Sequence, residues 1–366
     1  MKKILIFHPT IAPYRIDFFN DLYTSFNTRI CLEYRNLKDQ KFDYDKIESQ
    51  FKFTPIYKQD SSNNKLECFY WKHLDEFEPD VVLAGEYGFG TILILMHRFV
   101  KRKKYKVISI CDDSYNMVAE NNDFSLKHRI ARKFIVPLLD ELILLESRDT
   151  HWYKEHYNKG FFFPIIKSDD KARLEYQKVL SRSQEIADKY KLKNKKVILF
   201  VGRLVKLKNV VSAIKAFSKV DQNRENVFVI VGDGPEKDNL MKLSCDLDLN
   251  IIFTGRLEGD ALNVWYNIAQ VFILPSYQEA FGAVTNEALL AGCKGLISNK
   301  AGSQCLIENG VNGYTFNPMD IDDISNKMLK CLGEVPIFDI IKLKENRMLL
   351  TYSNCINGVI SLINEI

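Results

Sequence analysis

Short runs of β-branched residues alternate with longer segments of helical periodicity, and this alternation constrains the fold more than any other feature. The runs fall at residues 4–7, 29–33, 81–83, 107–111 and 142–145, then at 197–201, 227–231, 251–253, 271–274 and 295–298. Strands that alternate with helices form parallel sheets covered by helices on both faces. Domains of about 100–200 residues are usual, so the 366 residues predict two α/β domains.

A polar, charge-rich stretch at residues 167–196 interrupts the alternation and marks the connection between the domains. The first domain is predicted to span residues 1–166, and the second residues 167–350. Two further helical segments are expected after Pro336. The last, at about 351–366, is predicted to cross back onto the first domain, because it carries apolar residues at helical spacing: Ile356, Val359, Ile360 and Ile363.

Composition excludes several classes of protein. Lys and Arg number 51 against 47 Asp and Glu, and this net charge of +4 is too small to indicate a nucleic-acid partner. None of the eight cysteines forms a CxxC pair, so zinc and thioredoxin-type sites are not indicated, and reduced cysteines favour a cytoplasmic protein. The apolar run after Lys2 and Lys3 is too short for a signal sequence, and no stretch approaches the roughly 20 apolar residues of a transmembrane helix.

Two strand-to-helix turns in the second domain have the residues that phosphate binding requires. Gly202 and Arg203 follow one predicted strand, and Lys208 opens the next helix; Gly232 and Gly234 follow another strand. Glycine allows close backbone approach, and two cations near a helix start suit a diphosphate. Ordinary turns with solvated cations would have the same residues, so this alternative stays open.

A pair of glutamates stands eight positions apart in the segment after the strand at 271–274. Glu279 falls in the loop, and Glu287 in the following helix. Carboxylates accept hydrogen bonds from vicinal sugar hydroxyls, and an isolated carboxylate is costly to bury. The pair therefore indicates a sugar or ribose site in a cleft, unless both residues are exposed on a surface helix.

Taken together, these motifs resemble glycosyltransferase family 4 across residues 197 to about 318. The motifs are Gly202-Arg203-Leu204 with Lys208, Gly232-Asp233-Gly234-Pro235, Phe253-Thr254-Gly255 and the Glu279/Glu287 pair. The resemblance implies a GT-B fold, in which two Rossmann-like α/β domains face each other across a cleft. It also implies transfer of a sugar from a nucleotide donor with retention of the anomeric configuration.

The same resemblance assigns roles to individual residues. Arg203 and Lys208 would neutralise the donor diphosphate, Glu279 would contact the donor sugar, and Glu287 would bind the ribose hydroxyls. Further donor contacts are expected from Gly202, Gly232, Gly234, Arg256, Leu257, Phe281, Gly282 and Ala283. Two cations at the leaving group would stabilise its charge, so no metal and no cofactor besides the UDP- or GDP-linked donor is expected.

The first domain matches the family less closely. The loop from His8 to Arg15 resembles that of some bacterial members, which places Tyr14 and Arg15 on the acceptor side. Where the family often has a histidine, this sequence has Asp112 and Asp113. Asp113 is predicted to act on the reacting sugar or the acceptor hydroxyl, and Asp112 to lie on the acceptor side. A helix-capping loop is the alternative.

The function implied is a retaining, hexosyltransferase-like enzyme. It would extend a glycan or lipid-linked acceptor in bacterial surface polysaccharide biosynthesis, of lipopolysaccharide or capsule. Two alternatives stay open: a nucleotide-sugar 2-epimerase of the same fold, and a non-catalytic nucleotide-sugar-binding partner. The second is suggested by Gln304-Cys305, which stands where the family usually has a proline and a glutamate.

Basic residues cluster in the first domain. Residues 98–106 hold six cations, and a second amphipathic segment carries Lys127, Arg129, Arg132 and Lys133. Phe99, Val100, Phe134 and Ile135 are interleaved with them. Such a surface suits an anionic membrane, at about 1 kcal/mol per cation, and predicts a peripheral protein at the inner face of the plasma membrane. A solubilising face is the alternative.

Overall fold

The computed structural model describes residues 1–35, 44–60, 65–119, 125–337 and 341–366. They form two compact units. The first unit comprises Met1–Ile165 with Ser353–Ile366, and the second comprises Ile166–Tyr352.

The first unit is built on a seven-stranded parallel sheet. Its strands are β1 (Lys3–His8), β2 (Asn27–Leu32), β3 (Ile56–Tyr57), β4 (Val81–Gly85), β5 (Lys106–Cys111), β6 (Glu141–Leu144) and β7 (Phe161–Phe162). Their order across the sheet is β3-β2-β1-β4-β5-β6-β7. The strands are short and rich in Val, Ile and Leu because both faces of the sheet are covered.

Helices connect these strands, as the alternation predicts. They are α1 (Ile16–Ser25), α2 (Tyr44–Glu48), α3 (Leu66–Phe77), α4 (Phe89–Val100), α5 (Tyr115–Ala119), α6 (Leu126–Ile135) and α7 (Ser147–Tyr157). Among the helices that the structure describes, none is long and apolar enough to cross a bilayer.

The second unit is built on a six-stranded parallel sheet. Its strands are β8 (Lys196–Val201), β9 (Asn226–Val231), β10 (Ile251–Gly255), β11 (Val271–Leu274), β12 (Lys294–Ser298) and β13 (Gly313–Phe316), in the order β10-β9-β8-β11-β12-β13. Its helices are α8 (Asp169–Lys178), α9 (Leu180–Lys189), α10 (Val210–Val220), α11 (Lys237–Asp246), α12 (Asp260–Ile268), α13 (Val284–Leu290) and α14 (Ile321–Glu334). The prediction of two parallel-sheet α/β domains is confirmed.

The terminal helix α15 (Tyr352–Glu365) packs in the first unit from Ser353 onward. Val359 and Ile363 are fully buried there. Lys2 Nζ donates hydrogen bonds of 2.9 Å to the carbonyls of Ile363 and Asn364, which tie the end of this helix to the start of β1.

The strands of the second unit show why the sequence forms a central sheet. Val197 and Leu199 belong to the buried cluster on one face, whereas Ile198 and Phe200 belong to the cluster on the other. Successive side chains of a strand point to opposite faces, so an unbroken apolar run fits a strand that is buried on both sides.

Each sheet reverses its strand order beside its first strand, and this reversal positions the functional loops. In the second unit β8 pairs with β9 on one side and with β11 on the other. In the first unit β1 lies between β2 and β4. Where consecutive connections diverge in this way, a crevice opens at the carboxyl ends of the strands, and ligands bind there in open α/β sheets.

One prediction after Pro336 is wrong. Two helical segments were expected after Pro336, but among the residues described beyond it only α15 is helical, and residues 341–351 contain no helix. Their polar groups are satisfied by other segments instead: the backbone N–H of Arg347 donates to Leu289 at 2.9 Å, and Lys344 Nζ donates to the carbonyl of Tyr266 at 2.9 Å. These tertiary hydrogen bonds outweigh the local helical pattern.

Candidate functional site

The turns after β8 and β9 lie directly against each other. A Cβ atom on Gly232 would stand 1.9 Å from the carbonyl oxygen of Gly202, and one on Gly234 would stand 2.4 Å from that of Leu204. Both glycines have positive φ angles, 151° and 155°. Side chains are therefore excluded at both positions, because the backbones of the two turns pack directly against each other.

Lys208 and Glu279 form an ion pair between the two loops at the strand-order reversal. Lys208 ends the short 3-10 helix Lys206–Lys208, and its Nζ pairs with Glu279 Oε2. The two side chains are 17% and 19% exposed. A cation and a carboxylate that are largely shielded from water, yet still accessible, interact more strongly with a charged ligand than fully exposed groups do.

Arg203 lies in the same turn as Gly202 and is exposed. None of the described side chains forms a hydrogen bond or ion pair with it. A guanidinium in this position can bind an incoming anion without breaking an existing pair, and its fork matches two phosphate oxygens.

The loop that carries Glu279 is held by the segment after β12. Gly302 N donates to Glu279 O at 3.1 Å, and Ser303 N donates to Phe281 O at 2.8 Å. Phe281 is 2% exposed and anchors the loop in the core, while Gly282 and Ala283 follow it and lead into α13. The predicted donor-binding backbone is thus fixed at both ends.

Glu287 lies on α13 with both carboxylate oxygens engaged. Tyr266 donates to Oε2 at 2.8 Å, and Lys167 Nζ lies 2.6 Å from Oε1. The side chain is 17% exposed. A carboxylate oriented in this way keeps lone pairs for vicinal hydroxyls, and burial together with the Glu287 charge raises the pKa of Tyr266, so this phenol stays a donor.

Three other predicted positions have local contacts. Arg256 is exposed and pairs with Glu258, and Leu257 packs against the core of the second unit. Gln304, which stands where the family usually has a proline, donates from Nε2 to the carbonyl of Asn299 at 2.7 Å. It therefore supports the backbone beside the Glu279 loop.

In the first unit, Arg15 and Asp112 form an ion pair at the carboxyl edge of the sheet. The Arg15 side chain is 5% exposed, whereas that of Asp112 is 42% exposed. Tyr14 lies beside them, and burial together with the Asp112 charge raises its pKa. Burial and the Arg15 charge lower the pKa of His8 to about 4, so this imidazole is neutral at pH 7.

Asp113 occupies a different environment from its neighbour. It is 1% exposed, and its Oδ2 accepts hydrogen bonds from Tyr87 at 2.6 Å and Tyr153 at 2.5 Å. His128 Nε2 lies 3.3 Å from Oδ1. The predicted catalytic role of Asp113 would require these side chains to move, whereas Asp112 is accessible as it stands.

Glu86 is a residue at this edge that sequence reasoning missed. It follows β4 with a positive φ of 60°, and its Oε1 accepts from the backbone N–H of Asp112 at 3.1 Å. Its Oε2 accepts from the thiol of Cys111 at 3.4 Å. A non-glycine residue in this conformation costs of order 1–3 kcal/mol and is often found at functional sites. The only sequence signal is an acidic residue directly after a buried strand.

Glu86, Cys111 and Asp113 also bring three potential ligand atoms within 4.8 Å of one another. Burial raises the pKa of the Cys111 thiol well above its usual value, so it remains protonated. Asp113 Oδ2 already accepts hydrogen bonds from two tyrosines.

We expect replacement of Glu86 by glutamine to remove a pH dependence of stability. Burial, Asp112 and Asp113 raise the pKa of Glu86 to about 8. The folded protein then keeps a proton on Glu86 that the unfolded chain loses above about pH 4.5. The contribution of Glu86 to the free energy of unfolding is therefore complete in acid and decreases as the pH rises towards 8. Urea unfolding at pH 6.5 and 8.5 should show that Glu86→Gln gains stability relative to wild type at the higher pH.

The range from pH 6.5 to 8.5 lies above the range in which His8 titrates. Because the pKa of His8 is lowered to about 4, His8 makes the free energy of unfolding increase with pH between about pH 4 and 6.5, which is opposite to the effect of Glu86. An equal difference in the free energy of unfolding between the two proteins at both pH values would show that Glu86 is already ionised at neutral pH.

The predicted surface role of α6 needs two corrections. Arg132 is 4% exposed, and its NH1 points inward to Asp113 at 3.7 Å, with its guanidinium over the Trp152 ring. Ile135 is 7% exposed and belongs to the core of the first unit. Both were expected on the surface because helical spacing alone does not show which side chains meet a buried carboxylate.

The chain is similar in sequence to known glycosyltransferases. Residues 182–335 match the family model described as glycosyl transferases group 1. An uncharacterised glycosyltransferase of Methanocaldococcus jannaschii is 35% identical over 134 residues, which cover 36% of this chain and 34% of that protein. The lipopolysaccharide 1,2-N-acetylglucosaminetransferase of Salmonella typhimurium is 30% identical over 169 residues, or 43% of this chain and 44% of the relative. The chain thus spans less than half the length of either relative.

The likeness to solved structures extends over the whole chain. Anabaena HepE, crystallised with UDP, has a TM-score of 0.76 at 15% identity, and the match covers 100% of both chains. At this identity the likeness shows the fold. The chain therefore has the predicted GT-B fold of two Rossmann-like α/β domains, and its residues 182–335 match the group 1 glycosyl transferase model.

Proposed function

We propose that the protein is a retaining glycosyltransferase of family 4 that transfers a hexose-like sugar from a nucleotide sugar to an acceptor hydroxyl. The observation that carries this proposal is the Lys208–Glu279 pair, which lies where the strand order of the second unit reverses. It combines a cation for a leaving diphosphate with a carboxylate for sugar hydroxyls, inside the segment that the family model matches.

The donor site is proposed to work by charge stabilisation. As the bond between the sugar and the diphosphate breaks, negative charge grows on the leaving oxygen, and cations that are already in place lower the barrier. Arg203 supplies an exposed guanidinium and Lys208 a half-buried ammonium. When a phosphate binds Lys208, Glu279 is released to accept hydrogen bonds from the sugar. No metal ion or further cofactor is needed in this scheme.

Glu287 is proposed to bind the two ribose hydroxyls of the nucleotide. Lys167 and Tyr266 orient its carboxylate, so little conformational entropy is lost when a diol binds. A UDP-linked donor is supported by the UDP in the HepE crystal, although a GDP-linked donor has the same ribose and diphosphate.

The acceptor is proposed to meet the first unit beside Arg15 and Asp112. Asp112 is the accessible carboxylate of this edge, and Glu86 fixes its backbone. The lipopolysaccharide transferase among the relatives supports a glycan or lipid-linked acceptor in bacterial surface polysaccharide biosynthesis.

Thermal unfolding in the presence of nucleotides tests the donor site. A ligand at 100 times its dissociation constant adds about 2.7 kcal/mol to the free energy of unfolding. We expect UDP, GDP or one of their sugar derivatives to raise the melting temperature, and Glu287→Gln to reduce this shift. The matched control is Glu185→Gln, an exposed glutamate on α9 of the same unit. No shift with any nucleotide would refute the proposed donor site.

A peripheral location at the cytoplasmic face of the plasma membrane is also proposed. Arg102, Lys104, Lys127, Arg129 and Lys133 have no ion-pair partner among the described residues, and exposed apolar side chains lie between them. Co-sedimentation with anionic vesicles should be lost at high salt and in neutral vesicles. Equal binding to both kinds of vesicle would contradict an electrostatic attachment.

A further inference from the structure

A groove of about 1230 Å³ lies on the first unit between the end of α4 and the end of α6. Its floor contains Leu95 and Ile135, which are 9% and 7% exposed. Its walls carry Phe99, Phe134 and Leu138, which are 85%, 65% and 56% exposed. Folded monomers seldom expose so many large apolar side chains together, and such patches mark binding surfaces.

Arg98 links the two sides of the groove. Its NH1 lies 2.5 Å from Asp140 Oδ2, and its NH2 donates to the carbonyl of Leu138 at 2.7 Å. These two contacts link α4 to the segment after α6, so the walls are fixed before a ligand arrives. Preformed walls reduce the ordering cost that binding would otherwise incur.

Cations line one end of this apolar surface. Arg102 and Lys104 line the groove, and neither has an ion-pair partner among the described residues. Lys103 and Lys106 also line it, but they lie 3.4 Å from Glu78 and 3.3 Å from Asp140. The groove therefore joins a long apolar surface to two uncompensated positive charges.

We propose that this groove binds a single hydrocarbon chain whose end carries a phosphate or diphosphate. The exposed apolar side chains along the groove suit the flexible methylene groups of a hydrocarbon chain. Apolar walls take the chain, and Arg102 and Lys104 take the anionic end. The groove lies at the amino ends of β5 and β6, and Asp112 follows the opposite end of β5, so identifying this ligand with the lipid part of the acceptor requires a glycan that spans β5. That identification rests on the proposed function; the binding itself does not.

Calorimetric titration with alkyl phosphates tests the groove directly. Each buried methylene contributes about 0.8 kcal/mol, so decyl phosphate should bind about 15-fold more tightly than octyl phosphate. Inorganic phosphate alone should bind at least 100-fold more weakly than decyl phosphate. Equal affinity for the two chain lengths would overturn the proposal, because it would leave only an attraction between charges.

Variants separate the groove from the rest of the surface. Phe134→Ser combined with Leu138→Ser should weaken decyl phosphate binding at least tenfold. Phe89→Ser and Leu126→Ser are matched controls, because these side chains are 64% and 63% exposed on the same two helices but do not line the groove. An equal loss in the controls would overturn the assignment.

The charged end has its own control. Arg102→Ser combined with Lys104→Ser should weaken decyl phosphate about tenfold and leave decanol binding unchanged. Lys127→Ser combined with Arg129→Ser should change neither. Nucleotide-induced stabilisation is measured on the same samples. If nucleotides stabilise the protein but decyl phosphate does not bind, the groove proposal fails and the proposed function stands. If decyl phosphate binds but no nucleotide stabilises the protein, the proposed function fails and the groove proposal stands.

Discussion

Replacement of Arg203 or Lys208 by alanine is expected to lower the rate of sugar transfer about a hundredfold at saturating donor. Each substitution removes a cation from the leaving diphosphate, and such preorganised groups contribute about 2.7–4 kcal/mol to stabilisation of the transition state. Both side chains lie outside the core, so circular dichroism and thermal unfolding should show a folded protein.

The Lys208–Glu279 pair allows a sharper version of this test. If the two residues act together, the double variant Lys208→Ala with Glu279→Ala should lose much less activity than the product of the single losses. Lys206→Ala is the matched control, because this exposed lysine lies in the same 3-10 helix. A rate within twofold of wild type for Arg203→Ala or Lys208→Ala would remove that residue from the catalytic group.

Gly232→Ala is expected to lower the free energy of unfolding by about 3 kcal/mol or more. The new Cβ would stand 1.9 Å from the carbonyl oxygen of Gly202, at a φ of 151° that L-residues rarely adopt. The turns after β8 and β9 would have to move apart, and this movement would disrupt the proposed donor site. Urea unfolding measures the loss, and nucleotide-induced stabilisation reports the site.

Gly333→Ala provides the opposite case with the same chemical change. This glycine lies near the end of α14, and nothing stands within 4 Å of the position that a Cβ atom would occupy there. Alanine at this position should be neutral or stabilise the protein by up to about 1 kcal/mol. Equal effects of the two substitutions would show that the contact between the turns is not what requires glycine at position 232.

Residue patterns predicted the fold well, for a physical reason. Carboxyl ends of parallel strands meet at one edge of a sheet, so motifs that follow β8 and β11 had to converge. The partners could not be predicted, because they come from distant parts of the chain. Lys208 meets Glu279, and Lys167 meets Glu287, through tertiary packing that no local spacing encodes.

The first unit was harder to interpret from sequence. Asp112 and Asp113 are adjacent, yet one is accessible and the other is enclosed by Tyr87 and Tyr153. Adjacent residues at the end of a strand point in opposite directions, and only the packing decides which one is covered. Glu86 was missed for a related reason: its role depends on a backbone conformation and a hydrogen bond to Asp112 that the sequence does not display.

The anomeric configuration of the product tests the central claim most directly. The protein would be incubated with the nucleotide sugar that stabilises it and a glycan or lipid-linked acceptor, and the new linkage would be assigned by proton NMR. We expect the sugar to be joined to the acceptor with the same anomeric configuration that it has in the donor. An inverted linkage would contradict retention, and conversion of the donor to its 2-epimer without transfer would contradict the proposed reaction itself.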